Sequence, residues 1–127
     1  MTFIVSRLRA DAAMPASVSF DHEGTLRRLG GDTGLYKDLV GFFLEDSADL
    51  YQQLQNATAG EDVAATERAS HSLRGICANF GAGEAINLCW TIERRAGVGD
   101  WHEVRTAQSQ LDGALKRLRL ALQKSIA

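Results

Sequence analysis

The chain is 127 residues long, 45% hydrophobic and 24% charged, with a formal net charge of −2. That length holds one domain with a modest core but not two, and so small a net charge gives no strong basic field to draw in nucleic acid. No apolar run approaches the roughly 18 residues that would span a bilayer, and a single proline among many Ala, Leu, Arg, Glu and Gln favours helices throughout.

Residues 1–19 read as a lead-in, either a short helix or a flexible segment. Phe3, Ile4, Val5 and Leu8 could form one apolar face, with Arg7 and Arg9 on another and Pro15 ending the helix near Met14. The apolar run is too short for a secretory core, and its basic residues follow it instead of preceding it. From Phe20 to Ser125 the chain reads as one helical unit. Asp21 caps a short helix through Leu29, with Phe20 as a hydrophobic staple, Leu26 and Leu29 facing inward, and Gly30-Gly31 as the stop. Asp32 then caps a long helix over about Thr33 to Ala57. Leu35, Leu39, Phe42, Phe43, Leu50 and Leu54 supply a broad apolar stripe, and Asp38, Glu45, Asp46 and Asp49 leave much of the rest acidic.

Ala57-Thr58-Ala59-Gly60 reads as a turn, and Glu61 and Asp62 suit the positive first turn of the helix that follows. In that helix Ala65, Ala69, Leu73, Ile76 and Phe80 recur at helical spacing as one buried face. At about 100° per residue His71 points the opposite way, toward solvent. Its neighbours on the outer face are Ala64, Glu67, Arg74, Gly75 and Ala78, unusually small for a solvated face. A mid-helix glycine costs about 1 kcal/mol against alanine, and Gly75 repays it by letting another surface come close to the imidazole one turn away. Arg74, also one turn on, sets a cation beside the ring. A further helix over about Glu84 to Ala96 buries Ala85, Leu88, Cys89 and Ile92 before Gly97-Val98-Gly99 breaks it. Asp100 caps a final helix with Val104, Leu111, Leu115, Leu118 and Leu122 on one stripe. Short connections make consecutive helices antiparallel. The expected fold is therefore all-α, an up-down-up-down four-helix bundle with one or two short extra helices at its N-terminal end.

The run His71-Ser72-Leu73-Arg74-Gly75, closed by Asn79-Phe80-Gly81-Ala82, resembles the signature of the histidine-containing phosphotransfer (HPt) domains of bacterial phosphorelays. The resemblance extends over about Phe20 to Leu122 and includes the turn Leu29-Gly30-Gly31-Asp32. Arg74 departs from the family's usual lysine, and the planar, bidentate guanidinium is no simple substitute. The resemblance implies that His71 accepts a phosphoryl group from a receiver-domain aspartate, as a neutral ring nitrogen acting as nucleophile, and passes it to another receiver. Arg74 would stabilise the charge on the phosphoryl oxygens. Ala64, Glu67, Arg68, Gly75, Ala78 and Asn79 would meet the partner, although Arg68 also reads as a plain solvated charge and Asn79 as a local cap. Glu93, 22 residues after His71, would orient a ring N–H; pairing with Arg94 or Arg95 is the bland alternative. Partners would be response-regulator receivers, including that of a hybrid sensor kinase, and they would bring the Mg²⁺ and the aspartate; this chain needs no cofactor of its own.

The resemblance implies a phosphocarrier rather than an autonomous enzyme, and no Walker-type loop for ATP is present in the sequence. The protein is expected to be monomeric and cytoplasmic. The main alternative is a docking bundle that binds a receiver-like partner without carrying phosphate. A metal-binding bundle is disfavoured because Glu67 and His71 have no matching pair. Cys77 and Cys89 lack metal spacing and read as reduced, partly buried thiols. His22 and His102 read as surface residues, and Trp90 and Trp101 as core or core-rim residues.

Overall fold

The computed structural model describes residues 19–127, so the lead-in expectations for residues 1–18 lie outside the described residues. Helix starts follow the aspartates. Asp21 accepts a hydrogen bond from the Gly24 amide ahead of α1 (His22–Arg28), and Asp32 from Leu35 ahead of α2 (Thr33–Ala59). Asp62 accepts from Ala65 ahead of α3 (Val63–Ala78), and Asp100 from Glu103 ahead of α5 (Trp101–Ser125). Each satisfies an amide that a first turn leaves without an intrahelical partner. α4 (Gly83–Gly97) begins at Ala82 with no side-chain cap.

The stops are built as regularly as the starts. At the three connections within the bundle a left-handed residue directly precedes the next cap: Glu61, Gly81 and Gly99. The amides of Asp62, Ala82 and Asp100 then reach back to the carbonyls of Ala57, Cys77 and Arg95 at 3.0, 3.2 and 2.9 Å. This is the Schellman closure of a helix C-terminus. One helix is thus stopped and the next started within residues 60–62, 79–82 and 98–100.

Connections this short force antiparallel neighbours. α2 packs on α3, α3 on α4, α4 on α5, and α5 closes back on α2, completing the up-down-up-down bundle; α1 lies against α2. Phe80 sits at the centre of the core near α1, edge-on to Phe20, Tyr36 and Phe43. The Tyr36 hydroxyl and Ser125 Oγ share a hydrogen bond of 2.6 Å that ties α2 to α5. Three further bonds fasten α1 to the turn between α3 and α4: the Asp21 amide donates to the Phe80 carbonyl at 2.8 Å, and Arg28 Nη2 and Thr25 Oγ1 donate to the Asn79 carbonyl at 2.8 and 3.4 Å.

Three details differ from the sequence expectation. α2 runs to Ala59, so Ala57 and Thr58 are buried helical residues and not a turn. Its inward seam is Tyr36, Val40, Phe43, Ser47 and Leu54, with Leu50 partly buried. Those positions alternate in steps of three and four, the narrow seam of a helix in a bundle. Leu35 and Phe42 fall one residue off it and are exposed, Phe42 by 62%. Phe80 is buried as expected but lies beyond the end of α3, where the chain turns inward.

Candidate functional site

α3 buries Thr66, Ala69, Ser70, Leu73 and Cys77, which leaves His71 on its opposite side with 68% of the side chain exposed. Ala64, Glu67, Arg68, Gly75, Ala78 and Asn79 are exposed as well. A β-carbon added at Gly75 would meet nothing within 4 Å, so no contact inside this molecule requires glycine there. The Glu67 carboxylate leans toward α4, where Oε2 would lie 3.1 Å from a β-carbon at Gly97. Asn79 is the C-cap of α3, and its carbonyl is engaged by Arg28. Its main chain is therefore structural while its side chain remains at the rim.

The wall beside His71 comes from α4. Glu93 is 18% exposed and turns one oxygen, Oε1, to within 3.6 Å of His71 Nδ1, just beyond hydrogen-bonding reach. Its other oxygen, Oε2, accepts a hydrogen bond of 2.8 Å from Arg74 Nε. Arg74 Nη2 in turn lies 2.8 Å from His71 Nδ1. The same guanidinium lies over the indole of Trp90, with its central carbon 4.5 Å from the ring centroid, and Arg94 approaches that indole at 5.6 Å. Among the described residues no hydrogen bond reaches His71 Nε2, on the other side of the ring.

Arg74 does set its cation beside the ring, but not on an arm extended into solvent. It is 24% exposed, folded back between Glu93 and Trp90. Glu93 takes neither Arg94 nor Arg95 as its partner; it pairs with Arg74 while keeping its second oxygen near the imidazole. Trp90 is 45% exposed and not a core residue. The inward positions of α4 are taken by Ala85, Cys89, Ile92 and Ala96, and Trp90 falls one residue off that seam, on the side that faces α3. Sequence reasoning missed its part in the site. The signal was available: a large aromatic off the apolar stripe, three residues before Glu93 and four before Arg94. A lysine at position 74 would have to make every contact from one ammonium, whereas the guanidinium bonds two groups through separate nitrogens while its carbon lies over the indole.

Beneath the site, Cys77 and Cys89 are buried free thiols on the core sides of α3 and α4. Burial pushes the Cys77 thiol up to about 12, and burial first, then the neighbouring Cys77, raises Cys89 as well. Neither is a nucleophile at neutral pH; chemistry on this face belongs to the imidazole. His22 and His102 are exposed, His22 beside Phe20 and Tyr36. Trp101 is partly buried against the core. Among the described residues no three His, Cys, Asp or Glu side chains come together as a metal would require, and no helix is long and apolar enough to cross a membrane.

Comparison with known proteins bears on the fold and the family. The crystal structure of histidine-containing phosphotransfer protein B (HptB) from Pseudomonas aeruginosa PAO1 matches with a TM-score of 0.79 at 20% identity, over 86% of this chain and 95% of that one, a likeness of fold. No curated protein sequence matches the chain. The family model described as the Hpt domain matches residues 38–123, from within α2 to within α5, and leaves α1 and the turn at Gly30-Gly31 outside the match. The chain therefore belongs to the Hpt domain family: it is a histidine phosphotransfer domain of phosphorelay signalling, of the kind that works with response-regulator receivers.

Proposed function

We propose that His71 is the residue that carries the phosphoryl group, taking it from the aspartate of one response-regulator receiver and yielding it to another. The observation that supports this is an imidazole with one edge open to solvent and the other flanked by a cation and a carboxylate. In the forward step His71 Nε2 bonds to phosphorus as the bond from phosphorus to the aspartyl oxygen breaks, and that electron pair leaves with the carboxylate. The ring gains positive charge, which Glu93 offsets, and Arg74 stabilises the charge spread over the phosphoryl oxygens. Mg²⁺ belongs to the receiver. The small outer face of Ala64, Gly75 and Ala78 admits the receiver closely, with Glu67, Arg68 and Asn79 at its rim. The protein acts as a monomeric cytoplasmic phosphocarrier with no ATP chemistry of its own, and its donors include the receiver of a hybrid sensor kinase.

Incubation with a phosphorylated receiver should give an acid-labile, base-stable label on this chain. His71→Gln should abolish the label and leave the helical circular dichroism unchanged. Label retained in that variant would place the acceptor elsewhere. Receiver binding with no label on the unsubstituted protein would make this a docking bundle.

A further inference from the structure

The bond between Arg74 and His71 has a direction, and the direction matters for which nitrogen can react. A guanidinium only donates hydrogen bonds. The 2.8 Å contact therefore requires a lone pair on His71 Nδ1. A neutral imidazole carries one proton, so a lone pair on Nδ1 puts that proton on Nε2, the exposed nitrogen. In this arrangement the nitrogen that faces a partner has no free electron pair.

Glu93 favours the opposite tautomer. A carboxylate only accepts, so its oxygen 3.6 Å from Nδ1 can bond the ring only when Nδ1 carries the proton, which leaves the lone pair on Nε2. Arg74 and Glu93 thus compete for the same ring nitrogen and select opposite states of the other. Arg74 occupies it here, held by Glu93 Oε2 through Nε and by the Trp90 face through its plane.

We propose that Arg74 is a tautomer gate. Parked on Trp90, it keeps His71 in the Nε2–H form, which cannot attack. When a phosphorylated receiver docks, the phosphoryl oxygens draw the guanidinium off Nδ1, and Glu93 takes over that nitrogen. The ring proton passes from Nε2 to Nδ1 through solvent. Nε2 then bonds to phosphorus as the aspartyl oxygen departs with its electron pair, and the Nδ1–H of the charged ring remains on Glu93. Arg74 is a positioning residue before transfer and a phosphoryl contact during it. The gate rests on His71 as the acceptor.

The test reads the proton directly. Long-range ¹H–¹⁵N correlation spectra of His71 in the unphosphorylated protein, at a pH where no imidazolium remains, should show Nε2–H as the major tautomer. Arg74→Met should raise the ratio of Nδ1–H to Nε2–H by about tenfold or more, the worth of one charge-assisted hydrogen bond to Glu93. Adding Glu93→Ala to that variant should reverse the rise. A second reading needs no variant at position 74. In a Trp101→Phe background, phosphorylation of His71 by phosphoramidate should change Trp90 emission as the guanidinium leaves its face. An Nδ1–H resting ring, an unmoved ratio in Arg74→Met, or unchanged Trp90 emission on a fully labelled protein would each overturn the gate. Phosphoramidate that labels the protein but not His71 would overturn the acceptor assignment instead, while the resting tautomer could still be read.

Discussion

Position 74 joins the chemistry of three side chains. Its guanidinium meets a carboxylate, an imidazole and an indole together. Gly75, the next residue, does its work by having no side chain. Because a β-carbon there would meet nothing within 4 Å, Gly75→Ala should stabilise the bundle by about 0.5–1 kcal/mol in urea unfolding, the ordinary helix-propensity difference. Gly75→Leu should keep most of that gain and yet slow phosphotransfer from a receiver by about tenfold or more, since it fills the surface the partner approaches. Equal transfer rates in wild type and Gly75→Leu would end the close-approach role. The outward placement of His71, Gly75 and the small residues around them was legible in the sequence, because helical geometry alone places them on one face. The fold-back of Arg74 was not. It depends on Trp90 and Glu93, which reach it only once a second helix has packed beside the first.

The elements show the same division between local and distant causes. Asp21, Asp32 and Asp100 could be read directly as caps, because a cap is a contact between residues a few positions apart; Asp62, read as part of a first turn, is the cap just before it. The end of α2 was placed too early because Ala57, Thr58 and Ala59 were read as turn together with Gly60, whereas the chain stays helical to Ala59 and the left-handed residue that follows is Glu61, not a glycine. The left-handed positions Glu61 and Gly81 make a paired test. Gly81→Ala should destabilise by about 2 kcal/mol, since an alanine pays the left-handed penalty and its β-carbon would approach Asp21 Cβ at 3.0 Å. Glu61→Gly should be within about 0.5 kcal/mol of wild type. It removes a similar strain but also loses the exposed 2.8 Å ion pair to Arg105 and gains the entropy cost of glycine. Chemical unfolding of the two variants side by side checks both; a Gly81→Ala protein as stable as wild type would show that this turn tolerates a side chain.

At the scale of the whole molecule, the bundle topology followed from loop length, but the width of the core did not. The broad stripe drawn on α2 included Leu35 and Phe42, which a closed four-helix arrangement leaves outside. The closed core also sets the chemistry of its two thiols. Native protein at pH 8 should not react with a thiol reagent, and both cysteines should react once urea has unfolded it. Because the folded state holds Cys77 near 12 and Cys89 raised, while a free thiol ionises near about 8.5, the unfolded chain loses these protons first. The stability they contribute is complete below about pH 8.5 and falls as pH rises toward 12; buried Tyr36 and partly buried Tyr51, also raised, add to the fall above about pH 10. Urea midpoints measured from pH 7 to 10.5 should decline, and less steeply in a Cys77→Ala, Cys89→Ala variant. A pH-independent midpoint would mean that these groups are more open to water than the packing indicates.

α1 gives the molecule one more property. Seven residues are too few to hold a helix in water unaided. What keeps this one formed is its three bonds to the carbonyls of Asn79 and Phe80, at the corner where the helix bearing His71 meets the helix bearing Glu93. The corner therefore cannot open without releasing the segment, and the spacing between the imidazole and its carboxylate is braced from outside by residues that the family match leaves out.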